Sequence, residues 1–211
     1  MATNPPNEEK TASTASSNPS AICKIAFLGG AGVGKTSLIN RFMYDQFTRN
    51  YETTVGIDYF TKSMTVDDKT INLQIWDTAG QEQFQSLVPS YIRNTGMVII
   101  VYDVSDAKTL DSAKKWYDET TKIRGNEVCC FLVGNKIDLP SNVEESKVNE
   151  FIKVNQMDHI LVSAKTGENV TDLFIRAARQ AYKSETSKKD TITVTAQTVT
   201  TTPEEKKSGC C

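Results

Sequence analysis

Short hydrophobic runs alternate with amphipathic stretches along most of the chain, starting at Ile22. The runs that have the length and composition of strands are "ICKIAFLG", "INLQIWD", "MVIIVYDV", "CCFLVGN" and "ILVSA". Stretches with helical spacing separate several of them, the first beginning at about Lys35 and the last running from about Val170 to Tyr182. Strands that alternate with helices are typical of a mostly parallel sheet with helices on both faces. The pattern therefore predicts an α/β domain.

Two features of the pattern place strands within this sheet. The runs "MVIIVYDV" and "CCFLVGN" are apolar at consecutive positions, which is typical of strands buried on both faces, so we expect them in the middle. Polar and apolar residues alternate more in the segment "DYFTKSMTVDDKTINLQIWD", which has a turn at Asp67 and Asp68. This pattern predicts an antiparallel hairpin at one edge of the sheet. The predicted fold class is α/β, with a mostly parallel six-stranded sheet and one antiparallel edge strand.

The two ends of the chain differ in composition from the middle. Residues 1 to 20 are largely Ser, Thr, Ala, Asn and Pro, and the segment after Lys183 has no large apolar cluster. Such segments cannot bury enough apolar surface to offset the entropy of ordering. Residues 191 to 202 alternate Thr with apolar residues, but a lone polar strand without a partner is unstable. We expect a disordered extension over 1–21, one domain over 22–182 and a flexible tail over 183–211.

Composition and charge narrow the functional classes. The 211-residue chain has a net charge of -2, which gives no basic field for nucleic acid. It has no apolar run of the ~18 residues that a membrane-spanning helix needs and no signal peptide, so we expect a cytosolic protein. Three of the five cysteines, Cys23, Cys129 and Cys130, fall in predicted strands, where a cysteine acts as a small hydrophobe. Only the terminal pair, Cys210 and Cys211, needs another explanation.

Residues 29 to 36 read "GGAGVGKT", which matches the phosphate-loop pattern of Gly, four residues, Gly, Lys and Ser/Thr. The match lies between a predicted strand and a predicted helix, as its mechanism requires. The glycines let successive backbone N–H groups face a polyphosphate, while Lys35 can neutralise the outer phosphates and the Thr36 hydroxyl can bind Mg²⁺. An ordinary strand-to-helix turn is the disfavoured alternative. The candidate phosphate-binding residues are Ala31, Gly32, Val33, Gly34, Lys35, Thr36 and Ser37.

The segment "WDTAGQE" ends the predicted strand "INLQIWD". In a phosphate-loop protein a carboxylate here holds Mg²⁺ through a water, which assigns Asp77 to a metal site. The Gly80 N–H can follow a γ-phosphate, and Gln81 can orient an attacking water, so Gln81 is the candidate catalytic residue. Taken alone, the segment is equally consistent with a turn in which the aspartate caps a helix. The phosphate loop upstream favours the catalytic interpretation.

Two further segments point to a guanine base. "NKID" follows a predicted buried strand, and the Asp138 carboxylate can accept hydrogen bonds from N1–H and the 2-amino group of guanine. Adenine lacks that amino group and presents an acceptor at N1, so such a site rejects it. "SAK" follows the last strand, and the Ala164 N–H can donate to the guanine O6. The candidate base-binding residues are Asn135, Lys136, Asp138, Ser163, Ala164 and Lys165.

In this order and spacing, the phosphate loop, "YETTVGIDY", "WDTAGQE", "NKID" and "SAK" make residues 22–182 resemble the Ras-like small GTPases. Within them the chain resembles the Rab family through "VGIDY", "WDTAGQE" and "SYIRNT". The segment "SYIRNT", together with "FQSLVPSYIR" and "RGNEV", makes the chain most similar to the Golgi-associated sixth Rab subfamily. The resemblance implies a single Ras-like G domain that hydrolyses GTP slowly, with Mg²⁺ as cofactor and GTP and GDP as ligands.

The resemblance also assigns residues that the motifs alone do not. It implies that Thr54 binds Mg²⁺ and senses the γ-phosphate, that Phe47 stacks edge-on against guanine and that Tyr51 covers the phosphates. The two switch regions would span about 47–59 and 79–95. The implied metal ligands are Thr36, Thr54 and Asp77.

The resemblance further explains Cys210 and Cys211. Rabs that end in two cysteines receive two geranylgeranyl groups from a transferase that acts on an escort-bound Rab. One lipid chain gives only marginal membrane binding, whereas two give stable anchoring. The alternative, a disulfide or a metal-binding end, is disfavoured because the cytosol is reducing and two ligands do not complete a zinc site. We expect both cysteines to be lipidated, with the tail acting as a tether.

The resulting hypothesis is a Rab-like switch that regulates vesicle transport. We expect a monomer on the cytoplasmic face of an intracellular membrane, the Golgi or Golgi-linked vesicles, with a cytosolic pool bound to an inhibitor. The implied partners are effectors, an exchange factor, a GTPase-activating protein, an escort protein and a dissociation inhibitor. Nucleic acid is not an expected partner.

One departure from the family pattern opens a second hypothesis. Many Rabs carry Asp-Ser where this chain has Gly30 and Ala31, and a methyl group beside the γ-phosphate can slow hydrolysis. A nucleotide-loaded scaffold with negligible hydrolysis is therefore the alternative. A phosphate-loop kinase or ATPase is disfavoured because "NKID" has no role there. Arg49 is too far from Thr54 along the chain to match a known internal arginine finger, so we expect one supplied in trans.

Three other residues are interpreted as structural. His159 is the only histidine and has no carboxylate or cysteine cluster around it in the sequence. Trp76 and Trp116 are interpreted first as packing residues. By the same resemblance, Trp76 also faces effectors beside the switches.

Overall fold

The computed structural model describes residues 21–48, 54, 56–80, 88–125 and 128–195. The strands in these ranges are β1 (Ala21–Gly29), β2 (Ile57–Val66), β3 (Lys69–Thr78), β4 (Met97–Asp103), β5 (Cys129–Asn135) and β6 (Asp158–Leu161). The helices are α1 (Lys35–Tyr44), α2 (Val88–Ile92), α3 (Ala107–Arg124), α4 (Glu145–Val154) and α5 (Val170–Thr195). None of the helices in the described ranges combines the length and apolar character needed to cross a lipid bilayer.

The strands form one sheet in the order β2-β3-β1-β4-β5-β6. Neighbouring strands are parallel except for β2 and β3, which form an antiparallel hairpin at one edge. The hairpin turn falls at Asp67 and Asp68, whose positive φ angles suit a short polar side chain better than a branched one. β4 and β5, which carry the two continuous apolar runs, lie inside the sheet. The predicted fold class and hairpin are confirmed.

Side chains on the two faces of the sheet form separate hydrophobic clusters. On one face Phe27 of β1 packs with Leu38 of α1 and Phe174 of α5. The opposite face packs against α3 and α4, and Trp116 is buried there, as predicted for a packing residue. All seven residues of β4 are buried, so the centre of the sheet is covered on both sides.

α5 is longer than the sequence predicted. We expected it to end near Tyr182 and a flexible tail to follow from residue 183, but the helix continues to Thr195. The sequence after Tyr182 has no Gly or Pro until Pro203, and the Thr186 hydroxyl donates to the Tyr182 carbonyl oxygen at 3.0 Å. Residues of moderate helix propensity extend a helix whose first turns are already fixed by the core. The predicted extension of residues 1–21 is one residue too long, because β1 already begins at Ala21. Residues 1–20 and 196–211 lie outside the described residues.

His159 is half-buried on β6 and contacts Tyr102 of β4. Its Nε2 lies 3.1 Å from the Tyr102 hydroxyl, and the two rings stack with centroids 6.0 Å apart. Burial raises the pKa of Tyr102 to about 12, so the phenol stays protonated at neutral pH. The imidazole tautomer decides which of the two groups donates the hydrogen bond. Burial also lowers the pKa of His159 below its ordinary 6.5. These contacts agree with the structural interpretation of His159.

Replacing His159 with Gln should make stability less dependent on pH. Because the folded state disfavours the imidazolium, the unfolded chain takes up a proton first as the pH falls through 6.5. As the pH falls from 7.5 to 5.5, the wild-type protein should lose stability relative to His159→Gln. The stability that the neutral imidazole contributes is present in full only above pH 6.5. Urea unfolding midpoints in saturating GDP and Mg²⁺ measure this. Parallel pH profiles for the two proteins would contradict the assignment.

Candidate functional site

A cleft of about 850 Å³ lies at the carboxyl edge of the sheet, where α1 begins. In open α/β sheets the carboxyl ends of parallel strands are the usual place for ligands. Most of the predicted site residues that the structure describes line this cleft: Ala31, Gly32, Gly34, Lys35, Thr36, Ser37, Phe47, Thr54, Gly80, Asn135, Lys136, Asp138, Ala164 and Lys165. Two others, Val33 and Ser163, are fully buried behind its wall.

The loop between β1 and α1 has a backbone conformation that its glycines permit. Gly32 and Gly34 have φ angles of 74° and 98°, which only glycine adopts readily. A Cβ on Gly34 would also lie 2.3 Å from the Asn135 side-chain nitrogen. The loop therefore wraps closely over the end of β5, and the first turn of α1, which has no side-chain cap, lines the cleft. This is the geometry of a phosphate-binding loop.

Lys35 is held inside this loop. Its amine donates to the carbonyl oxygens of Gly29 at 2.9 Å and Gly30 at 3.0 Å, and only 5% of the residue is exposed. Burial lowers the pKa of Lys35 to about 8, although the nearby Asp77 carboxylate opposes this shift. A buried cation that lines a cleft is stabilised by an anionic ligand, because the opposite charge replaces the water that it has lost.

Thr36, Thr54 and Asp77 form a hydrogen-bonded group beside Lys35. The Thr36 hydroxyl donates to Asp77 Oδ2 at 2.6 Å, and its oxygen lies 2.7 Å from the Thr54 hydroxyl. Thr36 has a single hydroxyl proton, so Thr54 is the donor in the second bond. The structure thus brings together the three residues that the sequence assigned to a metal site, although they come from α1, the segment before β2 and the end of β3.

The chemistry of this group fits Mg²⁺. Hydroxyl and carboxylate oxygens are the ligands that this ion prefers, usually with one or two carboxylates from the protein. Asp77 Oδ1 is buried and has no hydrogen-bond partner among the described residues, which is costly for an acceptor. Burial raises the pKa of Asp77 to about 6, against the opposing effects of the Thr36 hydrogen bond and Lys35. A cation, or a water bound to one, would satisfy this carboxylate and favour its charged form.

Gly80 touches the phosphate loop directly. A Cβ on Gly80 would lie 2.5 Å from the Gly30 carbonyl oxygen and 2.6 Å from the Ala31 nitrogen. These contacts are with backbone, so only a glycine fits without moving the loop. Gly80, the second residue after the end of β3, is thereby held against the position predicted for the terminal phosphate.

At the other end of the cleft Asp138 is fixed by the loop that follows β6. Ser163 donates to Asp138 Oδ1 at 2.6 Å and Lys165 donates to Oδ2 at 3.1 Å. Burial by itself raises the pKa of Asp138, but these two hydrogen bonds outweigh it and hold the pKa below its ordinary value. The carboxylate is therefore charged at neutral pH and has lone pairs left to accept N–H groups from a base.

Asn135 joins the two ends of the cleft. Its side-chain nitrogen donates to the Val33 carbonyl oxygen at 2.8 Å, and its oxygen accepts the Ala164 N–H at 3.1 Å. The sequence predicted that the Ala164 N–H would donate to a guanine O6. In the structure this N–H already has a partner, so a base that lies there shares it with Asn135.

Several residues of the site were not predicted. Asn40, Gln46, Thr48 and Leu139 also line the cleft, and Asp103 holds Lys136 through an ion pair of 2.6 Å. Burial raises the pKa of Asp103, but hydrogen bonds from Lys136 and Ser105 outweigh it and leave the pKa below its ordinary value. A signal for Asp103 was present, because it ends the strand next to "NKID" and parallel strands end at the same edge.

Four predicted residues lie outside the described residues: Gln81, Tyr51, Cys210 and Cys211. Arg49 and parts of both predicted switch regions also lie outside them. Their assignments therefore remain predictions. The described part of the switches includes Phe47, whose ring lines the cleft and packs partly against the core.

An aromatic cluster lies on the surface beside the predicted switches. The Trp76 ring is 4.5 Å from the Tyr59 ring and 5.1 Å from the Tyr91 ring, measured between centroids. Trp76 is half-buried, and Tyr59 is 46% exposed. The packing role predicted for Trp76 is confirmed, and the cluster presents apolar surface to solvent.

A comparison with protein-family models agrees with this geometry. The model described as "Ras family" matches residues 24–183, which is more than half of the chain. The match spans the phosphate loop, the Asp77 segment and both segments at the base end of the cleft. The chain therefore belongs to the Ras family of small GTPases.

Proposed function

We propose that this protein is a Rab-like GTPase that cycles between GTP and GDP states and regulates vesicle transport on an intracellular membrane, most specifically at the Golgi. The observation that best supports a nucleotide-dependent switch is the contact between the Thr54 and Thr36 hydroxyls at 2.7 Å. It links the segment before β2 to the phosphate loop. Whatever occupies the nucleotide cleft therefore acts directly on a residue of the first predicted switch.

The reaction is hydrolysis of the γ-phosphate bond of GTP by water, which gives GDP and inorganic phosphate. Lys35 and the backbone of the phosphate loop bind the phosphates, and Gln81 orients the attacking water. The Thr36 and Thr54 hydroxyls and, through water, Asp77 would hold Mg²⁺, which when bound neutralises charge on the phosphates. Intrinsic turnover should be slow, on the order of 10⁻⁴ to 10⁻³ per second, until an arginine is supplied in trans.

The Rab-like part of the proposal rests on motifs and on one surface. "VGIDY" and "SYIRNT" contribute Tyr59 and Tyr91 to the aromatic cluster around Trp76. An exposed aromatic surface beside residues that respond to the γ-phosphate is suited to effectors that distinguish the two nucleotide states. The terminal cysteines, as geranylgeranylated residues, would anchor the protein to the membrane, and its partners would include an escort protein and a dissociation inhibitor.

Ala31 supports a second candidate, a nucleotide-loaded membrane scaffold with negligible hydrolysis. Ala31 lines the cleft, and its backbone nitrogen is next to Gly80, where the γ-phosphate is expected. By the family resemblance, this position lies beside the γ-phosphate and the path of a partner's arginine, where a methyl group can slow hydrolysis. Phosphate release with and without cell extract separates the candidates, because a scaffold would not be accelerated by any extract.

Asp138→Asn should change the base preference. The amide cannot accept both hydrogen bonds from guanine, and two charge-assisted bonds of about 1.5 kcal/mol each correspond to roughly a hundredfold weaker GTP binding. Xanthosine triphosphate, which presents an acceptor in place of the 2-amino group, should bind better than it does to the wild type. Competition binding measures both changes. Asp172→Asn, which changes a half-exposed carboxylate on α5 that pairs with Arg176, is the control. Unaltered guanine preference in Asp138→Asn would contradict the base assignment.

Gln81→Leu should keep the nucleotide but lose most hydrolysis. Leucine cannot orient the attacking water, and the side chain is not expected to hold GTP, so binding should be unchanged. Single-turnover phosphate release measures the rate. The matched control is Gln74→Leu on β3, away from the cleft, which should hydrolyse GTP as the wild type does. An unchanged rate in Gln81→Leu would remove the catalytic role.

The native protein should carry two geranylgeranyl groups and lie at the Golgi. Intact-mass spectrometry of protein from its own cells measures the first, and fluorescence of an N-terminally tagged Gln81→Leu form against Golgi and endosome markers measures the second. The double change of Cys210 and Cys211 to Ser is the control and should become cytosolic.

The two outcomes separate parts of the proposal. An unmodified terminus would contradict lipid anchoring. Overlap with a different organelle would contradict the Golgi assignment and leave the GTPase activity unaffected.

A further inference from the structure

We propose that Arg41 is a positioning residue for guanine recognition: it holds the loop of residues 163–165 in the conformation that presents Asp138 to the base. The inference rests on the proposed binding of guanine nucleotides and adds a residue that no motif of the sequence singled out. Arg41 lies on α1, after the phosphate-binding residues, and does not line the cleft.

The guanidinium of Arg41 connects α1 to that loop by two hydrogen bonds. Its Nε donates to the Ala164 carbonyl oxygen at 3.0 Å, and one terminal nitrogen donates to the Lys165 carbonyl oxygen at 2.8 Å. The other terminal nitrogen donates to the backbone and side-chain oxygens of Asp45, each at 2.9 Å. Only 17% of the Arg41 side chain is exposed, and its bond to Ala164 is partly buried, whereas the bonds to Lys165 and Asp45 are exposed.

The loop that Arg41 holds makes the contacts that define the base site. Its other groups point toward the cleft: Ser163 donates to Asp138, and the Ala164 N–H donates to Asn135. Successive peptide groups of the loop are therefore tied on one side by Arg41 and on the other by the residues that recognise guanine. Releasing the first side allows the Ser163 hydroxyl, and with it the Asp138 carboxylate, to leave its position.

The shape of arginine is required for this role. A planar guanidinium donates in several fixed directions, whereas a lysine amine is a point charge on a flexible stem. The Arg41 stem also passes over Gly167, where a Cβ would lie 3.7 Å from its Cδ. Gly167 has a φ of 86° and lies in the turn that leads into α5. The backbone of this turn thus lies close along the arginine stem.

The position of Arg41 on α1 gives the contact a further consequence. Lys35 and Thr36 occupy the first turn of the same helix, about 9 Å away along its axis. A helix is rigid over this distance, so the phosphate end and the base end of the cleft keep a fixed separation. The fit of a nucleotide at both ends together depends on this spacing.

Nucleotide competition on the full chain tests the proposal. GDP dissociation from Arg41→Ala should be roughly tenfold faster than from the wild type, since two hydrogen bonds from a charged donor are lost. The preference for GDP over inosine diphosphate, which lacks only the 2-amino group, should also fall by a factor of roughly three to ten, because Asp138 is less well aligned. Arg41→Lys should have a GDP dissociation rate and a base preference between those of the wild type and Arg41→Ala. It also keeps the test possible if the alanine variant does not fold.

Two controls separate positioning from general stability. Arg179→Ala removes another well-bonded arginine, which donates to Asp67 at 2.7 and 2.9 Å far from the base site. Asp45→Asn weakens only the exposed ion pair of Arg41. Both controls should keep the wild-type preference for GDP over inosine diphosphate.

An unchanged preference in Arg41→Ala and Arg41→Lys would overturn the positioning role, even if their unfolding temperatures fell. An equal loss of preference in Arg179→Ala would overturn it as well, since stability alone would then explain the effect. Failure of the wild-type protein to bind GDP would instead overturn the proposed function, and this inference with it.

Discussion

The buried carboxamide of Asn135 is the contact on which the site depends. It ends an interior strand of the sheet and is only 1% exposed. Through one donated and one accepted hydrogen bond it connects the phosphate loop at Val33 to the loop of residues 163–165 at Ala164. Losing either partner would leave a buried polar group unpaired, at a cost of about 1 to 3 kcal/mol. The two loops are therefore positioned relative to the rigid sheet and not only relative to each other.

The phosphate end adds a second constraint, because it contains buried charges that are stabilised by a ligand. Burial lowers the pKa of Lys35 and raises that of Asp77, so each group resists its charged form when the cleft is considered alone. Asp77 Oδ1 is also an orphaned acceptor among the described residues. A polyphosphate and a divalent cation reverse both effects, since each charge then gains an opposite partner. Affinity for the nucleotide and stability of the fold are consequently linked.

Much of the fold could be predicted from the sequence because the signal is local. Continuous apolar runs such as β4 indicate a doubly covered strand, and Gly32, Gly34 and Lys35 fall in a spacing that has few other physical explanations. Arg41 and Asp103 could not be found in the same way, because Arg41 contacts residues 123 and 124 positions away and Asp103 contacts Lys136 from the end of a neighbouring strand. The predicted end of α5 was also wrong, because helix propensity after Tyr182 is neutral and the composition alone favoured a flexible tail. The catalytic role of Gln81, which has the clearest motif assignment, remains a prediction because this residue lies outside the described residues.

The hairpin of β2 and β3 explains how a change at the phosphates can reach the surface. Thr54 lies three residues before β2, and Asp77 lies at the end of β3, so the two strands of the ladder reach the proposed metal site at the same end. The last pairing, Ile57 with Thr78, is followed by a hydrogen bond from the Ala79 N–H to the Gly56 carbonyl oxygen at 3.0 Å. The segments that carry Thr54 and Gly80 are therefore held by one continuous set of backbone bonds. In the proposed switch, a shift that the nucleotide imposes on either segment would reach the exposed aromatic cluster through Tyr59 and Trp76, which are paired across this ladder.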